Sequence, residues 1–204
     1  VKTYADFSIE TLASVLGIEV RLGRLFPGLV PSEVPGWLSE AMVRGSRQAM
    51  VSEKARSEFI VAPILMACQE LSPGPIAIYS GQRLDVDLER GLVGECDFIL
   101  SATEPLPALR APLVMVVEAK KNDVEGGIWQ CLAQMAGARL FNEKNGRKGS
   151  PIFGCVINAE AWQFLKLEGL EATIDQKRYY IDNLASILAV FGTMLESGAM
   201  AVTA

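Results

Sequence analysis

Glu118 and Lys120 close one apolar run, "LVMVVEAK", and Asp97 interrupts another, "GECDFILS". Asp is depleted in strands and a carboxylate is costly to bury unpaired, so each acid is a departure that its element must have a reason to keep. Two carboxylates brought close repel one another, and a divalent cation relieves that repulsion. A lysine two residues beyond the second acid adds a fixed positive charge able to orient a water molecule. The plainer alternative pairs Asp97 with Lys120 or Lys121 and lets the charged strand end emerge into water.

The chemistry open to the chain is narrow, because its 204 residues include no histidine. Serine-histidine and cysteine-histidine catalysis, histidine-based zinc sites and histidine as a general base are all excluded. Cys68, Cys96, Cys131 and Cys155 lie far apart in apolar patterns without a CxxC pair, and read as reduced core thiols. With 19 basic and 24 acidic residues the formal charge is −5, so a bound polyanion needs a local basic patch or a metal. What remains is carboxylates, lysine, amide side chains and hard cations.

The elements that must position these groups are legible in the hydrophobic period. Side chains alternate along a strand, so Glu118 and Lys120 share one face, about 7 Å apart, while Val117 and Ala119 share the other. By the same rule Glu95, Asp97 and Ile99 share one face of the preceding strand, and Cys96, Phe98 and Leu100 the other. Asp97 lies beside Glu118 if those two strands are neighbours. A third acid comes from the helix "SEKARSEFIVAPILMACQEL", capped by Ser52 with Glu53 in its first turn. There Glu58 falls on the side of Ala55, Ala62 and Leu65, away from Lys54, and Pro63 must kink or split the helix.

Around them, residues 1 to 45 read as a helical cap interrupted by "FPGLVPSEVPGW", on a core of residues 46 to 204. "IAIYSG", "LDVDLE", "LVGECDFILS" and "APLVMVVEAK" read as three or four hairpin-connected strands. "VEGGIWQCLAQMAGARLFNEK" returns to a helical period, with Ile128, Leu132, Met135 and Ala136 in one stripe and Gln130 and Gln134 one turn apart. "SPIFGCVIN", "AWQFLKLEG" and "LEATIDQKRYY" read as further strands, and "IDNLASILAVFGTMLESG" as a closing helix. The expected class is α/β, a single domain with a central mixed β-sheet flanked by helices. No apolar run reaches the ~20 residues of a membrane span and no basic-then-apolar leader is present, so a soluble, cytoplasmic protein is expected.

A helix bearing Glu58, a strand bearing the lone Asp97, a strand ending in Glu118-x-Lys120 and a following helix together resemble the signature of the PD-(D/E)xK nuclease superfamily. The resemblance covers roughly residues 46 to 160, and the 20 residues between Asp97 and Glu118 suit a hairpin. The Asp97 strand reads "ECD" where many members have "PD". Gln134 stands where the exonuclease-like branches carry a tyrosine, four residues after the Gln130 position that joins the active site in parts of the superfamily.

The resemblance implies a restriction-endonuclease-like fold and Mg²⁺- or Mn²⁺-dependent hydrolysis of phosphodiester bonds in nucleic acid, with DNA the first expectation. It further implies Asp97, Glu118 and the Ala119 carbonyl as metal ligands, Glu58 as a direct or water-mediated one, Lys120 as the cation orienting the attacking water, and Gln130 as a further site residue. Lys121 faces away from Lys120 on a regular strand. In "ARLFNEKNGRKG", Arg139, Lys144, Arg147 and Lys148 are candidates to follow a phosphate backbone, or else form a solvated helix end. The alternative function is a nuclease-like module that binds nucleic acid or a partner protein without cutting, and forms a homodimer through exposed apolar surface. Trp129 and Trp162 fall in apolar patterns and read as core.

Overall fold

The computed structural model describes residues 2–120, 124–158 and 160–203. Runs rich in β-branched and aromatic residues carry the chain through β1 (Glu19–Gly23), β2 (Ala77–Arg83), β3 (Glu95–Ser101), β4 (Leu113–Ala119), β5 (Ile152–Ile157), β6 (Ala161–Glu168) and β7 (Glu171–Tyr180). The helices are α1 (Ile9–Leu16), α2 (Gly36–Gly45), α3 (Glu53–Arg56), α4 (Ala62–Leu71), α5 (Val124–Lys144) and α6 (Leu184–Thr203). The strands form one mixed sheet in the order β1-β7-β6-β5-β4-β3-β2. β2, β3 and β4 are antiparallel neighbours, whereas β5 lies parallel to β4. A parallel neighbour cannot be reached by a tight turn, and α5 makes the crossover. The protein is therefore α/β, with a central mixed sheet between helices.

Two apolar layers fix that arrangement. On one face Ile128, Leu132, Met135 and Ala136 of α5 pack over Ile99, Val116 and Val156. On the other, α4 and α6 cover Phe98, Val117 and Phe164. All four cysteines are buried and unpaired, and burial raises each thiol above its ordinary range. Trp162 is buried edge-on against Phe191, and Trp129 packs half-buried on the α5 side. Among the described residues no helix is long and apolar enough to cross a membrane.

Three local expectations need correction. Residues 1–45 are not purely a helical cap, because β1 joins the sheet edge, Glu19 pairing with Glu171 152 residues away. The alternation of Val20 and Leu22 with Glu19 and Arg21 carried that signal, but a five-residue strand is too short to announce so distant a partner. "LDVDLE" is a turn instead of a strand: Asp85 accepts the Gly94 N–H and Asp87 the Arg90 N–H, each at 2.9 Å. In β3 the strict alternation fails at Asp97, since Cys96 packs with Ile99 on the α5 side while Phe98 and Leu100 take the other. Opposite Asp97, between the pairs Ser80–Phe98 and Gln82–Cys96, Gly81 adopts φ +61°, a local irregularity that re-aims β3.

Pro63 acts as expected, by a specific device. Between α3 and α4 the chain makes a π turn, Ser57–Val61, closed by the Ala62 N–H on the Ser57 carbonyl. Pro63 has no N–H for the Phe59 carbonyl four residues back, and the wider turn keeps its ring off that group. Gly45 of α2 closes on the same carbonyl, where an added Cβ would lie 2.5 Å from the oxygen.

Candidate active site

β4 is buried along its whole length, and its period of two turns Val116 and Glu118 toward α5. Lys120, just past the strand, folds back onto Glu118: its Nζ lies 2.8 Å from Glu118 Oε1 and donates to Gln130 Oε1 at 2.8 Å. One turn later on α5, Gln134 Nε2 donates to Glu118 Oε2 at 2.7 Å. Gly127 makes room for this, because a Cβ there would stand 2.7 Å from Val156 Cγ1 and 2.9 Å from Lys120 Cγ. Gln134 is fully buried, and its Oε1 is an acceptor with no partner among the described residues. Lys121 lies outside the described residues.

Asp97 reaches the same place from β3. Phe98 pairs with Val117, which sets Asp97 opposite Glu118, and Asp97 Oδ2 accepts the Ala119 N–H at 2.7 Å. The carboxylate thus ends the β3–β4 ladder by standing in for a backbone acceptor. That bond occupies the Ala119 N–H, while the small Ala119 side chain is 2% exposed.

Glu118 is buried, Asp97 and Lys120 are half-buried, and the charges are incompletely compensated. Burial, and next the field of Asp97, push the Glu118 carboxyl up to about 7 despite Lys120 and Gln134. Burial likewise lifts Asp97 above the ordinary carboxylate range, opposed by the Ala119 N–H and Lys120 and aided by Glu53 and Glu95. For Lys120 burial works against the charge, but Glu118, Glu53 and Asp97 outweigh it and hold the ammonium above the usual lysine range. Lys120 is therefore a cation and hydrogen-bond donor at neutral pH, not a base.

Asp97 opens onto a cleft of about 760 Å³ walled by α3, the π turn, β2 and β3, with Glu53, Glu58 and Glu95 on its lining. Glu118 is only 4% exposed. Glu58 does not share the apolar side of its helix: its side chain is 53% exposed and pairs with Lys54 at 3.8 Å. Lys54 and Glu58 stand four residues apart and share a face in any α-helix, and the π turn shifts Ala62 and Leu65 relative to both. The acid whose charge bears on both Asp97 and Lys120 is Glu53. In the sequence Glu53 reads only as a first-turn acid after the Ser52 cap, and no local pattern distinguishes it.

The basic segment sits elsewhere. Asn142, inside it, accepts the Leu113 N–H at 2.7 Å and donates to the Leu113 carbonyl at 2.8 Å. Residues 139–148 therefore border the start of β4, five residues or about 17 Å along the strand from Glu118. Arg139 pairs with Glu143 at 2.9 Å, and Lys144 donates to the Val86 carbonyl at 2.6 Å. The structure brings together Asp97, Glu118, Ala119, Lys120 and Gln130; it leaves Glu58 on the cleft wall and Arg139, Lys144, Arg147 and Lys148 away from the carboxylates.

Among the described residues no three His, Cys, Asp or Glu side chains form a ready-made metal cluster. The donor types nevertheless suit a hard cation: the buried Glu118 carboxylate, the half-buried Asp97 carboxylate that raises the affinity of Glu118 for a positive charge, and the buried, unpartnered oxygen of Gln134. No family model matches the chain, and no curated protein matches its sequence.

Proposed function

We propose that the protein is a metal-dependent phosphodiesterase acting on nucleic acid, DNA in the first instance, of the PD-(D/E)xK type. The observation that carries this reading is the apposition of Asp97 and Glu118 on neighbouring strands, with Lys120 on Glu118 and held charged. The order of helix, Asp-bearing strand, Glu-x-Lys strand and helix also supports it. Asp97, Glu118 and the Ala119 carbonyl would hold Mg²⁺ or Mn²⁺, and Glu53 is better placed than Glu58 to act on that charge from the helix.

When bound, the cation supplies Lewis acidity toward phosphoryl oxygen and lowers the pKa of a coordinated water. Lys120, held beside Glu118, would place an N–H and a positive charge where the attacking water and the negative charge of the transition state would lie. Gln130 fixes the lysine rotamer, and Gln134 holds Glu118 so that its carboxylate stays oriented. The acidic cleft makes the divalent ion a condition for binding the substrate as well as for cutting it.

The test is incubation of single- and double-stranded DNA and RNA with the protein in Mg²⁺ or Mn²⁺, beside Glu118→Ala and Lys120→Ala. Cleavage by the parent that both substitutions abolish is the expected result. Metal-dependent binding without cleavage of any substrate would replace this reading by the binding-only module.

A further inference from the structure

On the other side of α3 from the acidic cleft lies a second cavity, of about 420 Å³. Its walls are mostly apolar, with Met42, Met50, Ile60 and Ile181 among them, and Asn158 and Arg56 bring polar groups to it. Arg56 is the unusual member. Its Nε and Nη1 are buried, and neither has a hydrogen-bond partner among the described residues. An arginine cannot shed its charge, and a half-buried guanidinium with two of its nitrogens lacking an acceptor favours an anion toward which it can turn. Glu160 lines the same cavity, yet no Arg56–Glu160 ion pair forms among the described residues.

The cavity adjoins the proposed catalytic residues through two chain connections. Arg56 follows Glu53 by three residues on α3, and the Glu53 charge is felt by Asp97 and Lys120. Asn158 follows Ile157, whose carbonyl accepts the Lys120 N–H at 2.7 Å. The chain thus ties the cavity both to Glu53 and, through Ile157, to Lys120.

We propose that this cavity is a nucleotide subsite: Arg56 binds the phosphate of a unit flanking the scissile bond, and the apolar walls receive its base. A cavity of this size and lining suits a small ligand with an apolar body and one anchored charge. A base seated there has left any duplex stack, so the substrate is single-stranded or frayed at that unit. The assignment to a strand rests on the phosphodiesterase reading; the affinity for a nucleoside phosphate does not.

Titration calorimetry with thymidine monophosphate in EDTA reads the cavity without the metal. The parent protein binds it, and Arg56→Met weakens binding about tenfold or more, the loss of a charge-assisted pair. Thymidine, lacking the phosphate, binds no better to the parent than to Arg56→Met. Val43→Trp, a substitution at a half-exposed position on the cavity rim, blocks binding while leaving Arg56 in place. Hexathymidylate displaces the monophosphate if the occupant is a strand; failure to displace it means a free nucleotide and overturns the strand assignment. No binding of the monophosphate, equal binding by Arg56→Met, or displacement by octanoate as effective as by hexathymidylate overturns the subsite altogether. Failure of the catalytic reading appears separately, as absence of Mg²⁺-dependent cleavage by the parent protein.

Discussion

The two ends of β4 meet the same helix and treat polar groups in opposite ways. At Leu113 the strand's N–H and carbonyl are both matched by Asn142, and the nearby cations Arg139 and Lys144 have an acid and a carbonyl of their own. At Glu118, six residues along the same strand counting both ends, two carboxylates crowd together and one lysine serves both. At one end the strand's own N–H and carbonyl are both matched, though Arg139 Nε is left without a partner among the described residues; the other keeps charge in surplus. Matched polar groups stabilise the first end, and under the proposed function the surplus negative charge at the second is what draws a cation.

That contrast can be broken by mutation. Asp97→Asn or Glu118→Gln should lower Mg²⁺-dependent cleavage by about a hundredfold or more, measured as initial rates under saturating metal. The same Glu118→Gln protein should melt no lower than the parent at pH 8, since it replaces a buried carboxylate by a neutral isostere. Asn142→Ala is the mirror image: it strands two buried backbone groups and should cost about 2 to 4 kcal/mol in denaturant unfolding, with the cleavage rate per folded molecule unchanged. If Asn142→Ala slowed cleavage as much as Asp97→Asn, the division between the two ends would be wrong.

Smaller effects sharpen the picture. Gly127→Ala places a methyl against Val156 and Lys120, and should reduce cleavage about tenfold by displacing the lysine, with Mn²⁺ affinity largely kept. For pH, the sign follows from Glu118, whose folded pKa of about 7 lies above its ordinary value of 4.5. The folded state thus holds that proton more tightly, so its contribution to stability is fully present below about pH 4.5 and is lost as pH rises through about 7. Metal-free unfolding curves of the parent relative to Glu118→Gln should show that slope, and Mg²⁺ affinity should rise over the same interval as the ion replaces the proton. The smallest effect belongs to Arg147→Ala with Lys148→Ala, which should change cleavage of a short oligonucleotide by less than about twofold at 0.15 M salt.

Much of the candidate site was legible because it obeys a period of two. Glu118 and Lys120 share a face by strand geometry alone, Asp97 announces itself by being a carboxylate in an apolar strand, and Gln130 and Gln134 stand one turn apart on a helix. The pairing of Glu58 with Lys54 follows from a spacing of four on a helix, whereas the influence of Glu53 on Asp97 and Lys120 was not legible, because it depends on how α3 meets the strands. Nor was the distance of Arg139, Lys144, Arg147 and Lys148 from the carboxylates, since a 21-residue helix carries its two ends to opposite ends of the strand it covers.

By itself the sequence excluded histidine chemistry and marked the acids set in apolar strands, and it determined the α/β order of elements through their hydrophobic periods. Only the tertiary structure decided that β3 and β4 are neighbours, that β1 closes an edge against β7, and that Lys120 lies on Glu118. Periods report which face of an element is apolar. Which faces meet, and how strongly their charges act on one another, depends on distances across the chain and on burial, which no local pattern contains.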